Sequence, residues 1–432
     1  MKATRRGPQS QDAVRDAAAE RRDGTMDRRD DVKRRRINLP GEAQAECSQL
    51  DGSIAQSEVD ERGASGDAKT GIQRVSKAIL QQWLSNPPAG FDVRPVYASR
   101  WHPFRYCDPA AFGKRDDIQQ QTGSDPVEPG ADDIFVTLDL TAHILPHHHL
   151  QLERWKLTGV NVFFVVYDLL PTLHPKWFTD KGVKAQQRWL RSLAIYADGA
   201  ACISQAVASE LATWLARTFD HQPHGIAITS FPLGADIPSS LPGGSTDFAA
   251  HLAKLGTRRT VLMVGTIEPR KGYAFALSAF EQLWRELTDI NLVIVGKAGW
   301  KVDALIEKLR THPEAGKRLH WIDSGTDDML CSLYEHCAGL LMASEGEGFG
   351  LPIVEAARYG LPVLARDLPV FREIAGDAAS YFTTTRPENL AREISAWVKA
   401  TENGSVVRPE GMKVYSWEES AQRLLVAVGI TR

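Results

Sequence analysis

Two short stretches in the C-terminal half hold the residue types that bind and activate a phosphorylated ligand. The first is Ser344-Glu-Gly-Glu-Gly-Phe-Gly-Leu-Pro-Ile-Val-Glu-Ala-Ala-Arg-Tyr-Gly360. Gly346, Gly348 and Gly350 allow the backbone to come close to a ligand and to adopt positive φ. Pro352 suits the first turn of a helix, where its missing N–H would be unpaired anyway. The mouth of that helix carries partial positive charge and favours a phosphate. Glu347 sits on the loop, and Glu355 lies further into the helix, able to reach a more distant part of the same ligand. The second stretch is Val264-Gly-Thr-Ile-Glu-Pro-Arg-Lys-Gly-Tyr273. Its Arg270 and Lys271 form a cationic pair that can neutralise a leaving diphosphate without a metal. Taken singly, each stretch also fits a plain glycine turn or two solvated charges.

Both stretches lie where a strand hands over to a helix. Strands that are apolar throughout recur at 260–265, 291–296, 319–323, 339–343, 362–365 and 379–382. Helical patterns fill the gaps at 273–286, 302–310, 327–336, 351–359 and 387–401. That alternation predicts a parallel sheet covered on both faces, with ligands at the carboxyl ends of its strands. A similar rhythm runs from Gly66 to about 235, with strands at 93–98, 134–138, 160–167, 199–204 and 226–231. The expected organisation is a tail over 1–65, a first Rossmann-like domain over 66–235 and a Pro/Gly/Ser-rich linker over 236–256. A second such domain follows over 257–412, then a terminal helix over 413–432. The tail alternates basic and acidic residues densely, has few aromatic or β-branched ones, and reads as disordered or loosely helical, or as an aberrant N-terminal sequence.

Composition narrows the function. The chain has 432 residues, 43% of them hydrophobic and 24% charged, with a net charge of −3. Length favours two domains or more, and the charge makes no case for nucleic acid. Five scattered cysteines lack metal-ligand spacing and suit a reducing cytosol. No apolar run reaches spanning length and no secretory leader is evident, so a cytoplasmic protein is expected. His147, His148 and His149 are adjacent, and three consecutive side chains cannot all face one ion from a regular element, so no metal site is expected.

The two stretches resemble the retaining glycosyltransferases of family 4, whose members share the GT-B fold. Glu347 and Glu355, with seven residues between them in a Gly-Phe-Gly-Leu-Pro context, match the family pattern without substitution. Gly265, Arg270-Lys271-Gly272, Gly296, Ser344 and Ser416-Trp417-Glu418 extend the resemblance. It implies that Arg270 and Lys271 hold the donor diphosphate, Glu347 the sugar hydroxyls and Glu355 the ribose. Backbone amides around Phe349, Gly350 and Leu351 would meet sugar and phosphates, with Gly265 nearby. In the first domain Thr70-Gly71-Ile72 resembles the glycine loop lining the opposite wall, so Gly71 is expected to face the donor. Tyr167 stands where many relatives carry histidine, which leaves Asp168 as the candidate for the sugar or acceptor contact. Relatives begin with a Val/Ile-rich strand just before the first glycine loop, and 54–66 holds no such run.

The resemblance implies transfer of a hexose, mannose favoured, from a nucleotide-sugar to a hydroxyl of a glycan or lipid-linked acceptor. It implies no cofactor beyond the donor substrate, no metal and no nucleic-acid partner, and leaves room for peripheral contact with the inner face of the membrane. A GT-B epimerase or phosphorylase, or an inactive homologue acting as an assembly subunit, are the competing readings.

Overall fold

The computed structural model describes residues 35–40, 71–107, 125–219, 225–237, 255–323 and 325–430. The first sheet is built from β1 (Arg35–Pro40), β2 (Phe91–Tyr97), β3 (Arg105–Tyr106), β4 (Ile134–Thr137), β5 (Asn161–Val166), β6 (Gly199–Cys202) and β7 (Ala227–Ser230). Their order is β3-β2-β1-β4-β5-β6-β7, all parallel except β3. Its helices are α1 (Gly71–Ser85), α2 (His149–Leu157), α3 (Leu170–Leu173), α4 (Asp180–Tyr196) and α5 (Gln205–Thr218).

The second sheet comprises β8 (Arg259–Val264), β9 (Ile290–Val295), β10 (Leu319–Ile322), β11 (Gly339–Met342), β12 (Val363–Arg366) and β13 (Ser380–Phe382). Its helices are α6 (Tyr273–Arg285), α7 (Asp303–Thr311), α8 (Asp327–His336), α9 (Leu351–Arg358), α10 (Pro369–Ala375) and α11 (Pro387–Glu402). The order β10-β9-β8-β11-β12-β13 is parallel throughout, the doubly wound arrangement. β9 is buried along its whole length, as a strand covered by helices on both faces requires. The one polar residue inside it, Asn291, donates to the Leu255 carbonyl at 2.9 Å, which offsets its desolvation.

The expected tail over 1–65 needs correction at 35–40. These residues form β1, paired with both β2 and β4 in the middle of the first sheet, with Ile37 opposite Val93 and Ile134. Arg35, Arg36 and Asn38 interrupt the apolar run by which a central strand is recognised, yet backbone pairing does not depend on that run. β1 supplies the central strand that 54–66 lacks. The rest of 1–65, and most of the expected linker, lie outside the described residues.

The end of the first domain is tied to the C-terminal segment. Ala235 N–H donates to the Tyr415 carbonyl at 3.0 Å, Gly234 bridges to Tyr415, and Asp236, the first residue of the expected linker, accepts from Trp417 N–H at 2.8 Å. A Cβ on Gly234 would fall 2.6 Å from the Trp417 nitrogen, so the two crossing segments need glycine there. Trp417 opens α12 (Trp417–Ala427), capped by Ser416 and Glu419 in a reciprocal capping box. This helix packs on α1, where Trp83 Nε1 donates to the Ala421 carbonyl at 3.1 Å. Besides β1, three elements escaped the sequence reading: the two-residue antiparallel β3, and α3 and α10, whose four and seven residues are too few to show a helical period.

Candidate active site

The order of the second sheet reverses between β8 and β11, which pair through Val261–Gly339 and Leu262–Leu340. Ligands of open α/β sheets bind at such a switch point, because the loops from its two strands diverge to opposite faces and leave a crevice. The two chemistry-bearing stretches are the loops that leave these two strands. They are joined through the backbone, where Glu345 N–H donates to the Arg270 carbonyl at 2.7 Å. Gly272, with φ of +71°, makes the approach possible. A Cβ there would fall 2.3 Å from the Ala343 carbonyl oxygen.

Arg270, Lys271 and Glu347 come together at this point. Arg270 Nη1 donates to Glu347 Oε2 at 2.8 Å and to the Gly346 carbonyl at 2.9 Å. Lys271 Nζ donates to Glu347 Oε1 at 2.6 Å, and Ser344 Oγ donates to the same oxygen at 2.8 Å. Glu268, which the sequence reading passed over, completes the cluster, its Oε2 2.9 Å from Arg270 Nε. Two buried acids thus face two nearly buried bases. Burial by itself would push the Glu347 carboxyl up, but Lys271, Arg270 and the hydrogen bonds from Lys271 and Ser344 outweigh it and hold it down at about 2. Glu347 is therefore an anion throughout the working pH range, suited to accept hydrogen bonds and unable to serve as an acid. Burial raises Glu268 above its ordinary value, with Arg270 and Lys271 opposing.

A titration prediction follows from the sign of that shift. With a folded value of about 2 against an ordinary 4.5, the Glu347 contribution to stability is fully present above pH 4.5 and disappears as pH falls through 2. The unfolding free energy of wild type should fall more steeply across that window than that of Glu347→Gln, by denaturant titration at each pH. Parallel slopes would contradict the ion-paired geometry.

The first domain closes over this cluster. Gly348 lies so near β5 that a Cβ on it would sit 1.9 Å from the Tyr167 carbonyl oxygen, and one on Gly346 would meet the Trp177 ring at 2.9 Å. Ser204 caps α5 by accepting from Val207 N–H, and donates across the gap to the Gly348 carbonyl at 2.7 Å. Trp300 Nε1, from the loop after β9, donates to the Trp177 carbonyl at 2.8 Å. Glu373 of α10 accepts from Gln205 N–H at 2.7 Å and Ala206 N–H at 2.8 Å, capping α5 from the other domain. Glu373→Ala should cost about 1 kcal/mol, the usual worth of a helix cap, seen as a lower midpoint in urea. An unchanged midpoint would mean that water replaces the carboxylate without loss.

The remaining expected site residues lie around this cluster or apart from it. Asp168 follows β5; its Oδ1 accepts from Leu170 N–H at 3.0 Å, a loop-capping contact. Its carboxyl is raised by burial and interacts with the charges of Arg270 and Glu347, so it shares their surroundings. Gly71, at the start of α1, faces Leu351 across the gap, and Gly350, with φ of +110°, starts α9. Gly265 lies beside Lys271, its carbonyl accepting from Tyr273 at 2.6 Å. The Phe349 side chain is buried in an apolar cluster with Val75, Leu138 and Tyr167 of the first domain, leaving only its backbone for a ligand. Glu355 is set apart from the cation cluster and paired with Arg74 and Tyr334.

Tyr167, at the position where histidine was expected, is a core residue. Its hydroxyl donates to the Leu138 carbonyl at 2.5 Å, and burial raises it well beyond any useful titration. The three consecutive histidines diverge: His148 is buried with Nε2 2.5 Å from the Ser99 carbonyl oxygen, while His147 and His149 are exposed.

Two doubly wound domains meeting over paired cations and a glutamate at the second switch point define the GT-B class of α/β fold. Residues 245–411 match the family described as "Glycosyl transferases group 1". The serotype-specific mannosyltransferase WbdA of Escherichia coli is 40% identical over 373 residues, covering 84% of this chain and 45% of the relative. The chain thus spans a little under half of that relative's length. A phosphatidyl-myo-inositol mannosyltransferase of Mycobacterium leprae is 30% identical over 169 residues, 38% of this chain and 41% of the relative. Among solved structures, sucrose-phosphate synthase from Thermosynechococcus elongatus superposes with a TM-score of 0.56 at 14% identity, covering 90% of this chain and 97% of that one. Anabaena Alr3699/HepE in complex with UDP gives 0.53 at 14% identity, covering 92% and 97%. These two speak to the fold alone.

Proposed function

We propose that the chain transfers mannose from a nucleotide-sugar, GDP-mannose by preference, to a hydroxyl of a glycan or lipid-linked glycan, with retention of configuration and without a metal. The observation that carries this reading is the convergence of Arg270, Lys271 and Glu347 at the switch point of the second sheet. The 40% identity to a named mannosyltransferase supports the sugar.

In this reading Arg270 and Lys271 hold the donor diphosphate and Glu347 accepts from the sugar hydroxyls. Glu355 accepts from the ribose, and the backbone of Phe349, Gly350 and Leu351 at the mouth of α9 meets sugar and phosphates. Gly71 and Gly265 line the walls, and Asp168 meets the sugar or acceptor from the first domain. The acceptor oxygen bonds to the anomeric carbon on the face from which the phosphate oxygen departs. The acceptor proton passes to that departing oxygen, so no protein base is required. Charge grows on the diphosphate as the bond breaks, and the cations already in place stabilise it without reorganising. Domain contacts at Gly346 and Gly348 exclude the water that would hydrolyse the donor.

Among the described residues no helix is long and apolar enough to cross a membrane, so contact with a lipid-linked acceptor would be peripheral. The test is a thermal-shift screen of GDP-, UDP- and dTDP-sugars, because a ligand at about 100 times its Kd adds about 2.7 kcal/mol. GDP-mannose should stabilise most. Transfer to a mannan acceptor should proceed in EDTA, and NMR should show the donor's anomeric configuration kept in the product. No stabilisation by any of the three, or an inverted product, overturns the reading.

A further inference from the structure

Arg74 lies in the first turn of α1, just beyond the glycine loop, and none of the assigned roles uses it. Its guanidinium spans the two domains: Nη1 donates to Glu355 Oε1 at 2.6 Å. The other oxygen of that carboxylate accepts from the Tyr334 hydroxyl at 2.7 Å, and both Glu355 and Tyr334 are buried. Glu355 is thereby fixed by one side chain from each domain. The Nη2 of Arg74 is different: it is buried and has no hydrogen-bond partner among the described residues. Nearby, the first residue of α1, Gly71, faces Leu351, the first residue of α9, so two helix mouths flank the region. A cation with an idle donor, an immobilised carboxylate and two positive helix ends suit a ligand that carries an anion next to hydroxyls.

We infer that Arg74 donates through Nη2 to the phosphate adjoining the ribose of the donor nucleotide, held in position by Glu355, which takes the ribose hydroxyls. The inference rests on the donor site proposed above and deepens it, because it places one phosphate-binding cation on the first domain. Arg74 reaches Glu355 only across the closed gap, so the nucleotide draws the two domains together when it binds. Arginine suits this task because its planar fork serves two acceptors at once.

Isothermal titration of the full chain tests it, using GDP, UDP and dTDP with guanosine, uridine and thymidine as phosphate-free controls. Arg74→Gln keeps a donor for Glu355 and removes the charge. The diphosphate that wild type binds should bind this variant about tenfold more weakly, the worth of a charge-assisted hydrogen bond. Its nucleoside should change by less than about twofold, and Arg74→Lys should recover part of the loss. Unchanged diphosphate affinity in Arg74→Gln overturns the inference, as does equal loss for nucleoside and diphosphate, which marks a structural role for Arg74. If wild type binds none of the three diphosphates, the donor-site reading itself fails and takes this one with it.

Discussion

Arg270→Ala should lower the rate of glycosyl transfer by about 10²–10³-fold, the usual cost of removing one preorganised donor to developing charge. The loss should appear in kcat more than in donor KM, because the diphosphate gains charge only as its bond to the sugar breaks. The structure adds a second expectation that the motif does not carry. Arg270 is held between Glu268 and Glu347, with Gly346 accepting from the same Nη1. Deleting it leaves buried carboxylates that Lys271 alone must balance, and breaking a buried pair in this way costs on the order of 3–5 kcal/mol. Arg270→Ala should therefore be both inactive and measurably less stable in urea. Arg270→Lys keeps the charge but loses the fork between two acids, and should recover stability better than rate. Full transfer by Arg270→Ala under saturating donor would end the assignment of this site.

The second large effect is expected at a residue with no side chain. Gly348 has a backbone conformation open to alanine, yet the Cβ would fall 1.9 Å from the Tyr167 carbonyl oxygen. That neighbour is backbone at the end of β5, which cannot swing aside as a flexible side chain could. Gly348→Ala must then separate the loop from the first domain, breaking the Ser204 bond to the Gly348 carbonyl. Each sheet keeps its own core, since the clash lies between the domains. Transfer should fall at least about 100-fold, as misplacement of about 1 Å does elsewhere, and donor affinity should fall as well, because Arg74 of the first domain no longer reaches the nucleotide. Small-angle scattering should show a larger radius than wild type. A Gly348→Ala protein with normal transfer and an unchanged radius would show that the close contact is not part of the working state.

Much of this protein was legible in its residues. The apolar strands and amphipathic helices of the second domain match their observed positions to within a residue or two. Buried parallel strands must be apolar on both faces, and that constraint leaves a continuous signature. The convergence of the loop glycines, Arg270, Lys271 and Glu347 was legible too, because turns that leave neighbouring parallel strands lie at the same end of the sheet. β1 was not, since Arg35, Arg36 and Asn38 conceal a central strand whose pairing is made by backbone alone.

What the sequence determined by itself was a local vocabulary: which segments are strands, which loops are rich in glycine, which charges stand at strand ends. Partnerships between distant residues were decided only in three dimensions. The bond between Arg74 and Glu355 joins residues 281 apart, Ser204 meets Gly348 across 144, and Glu373 caps a helix 168 residues away. Local propensity carries no record of such pairs, because they arise only where the two sheets and their loops pack against each other. The two cations and the serine hydroxyl gathered around Glu347 are what keep it an anion, against the burial that would raise its carboxyl.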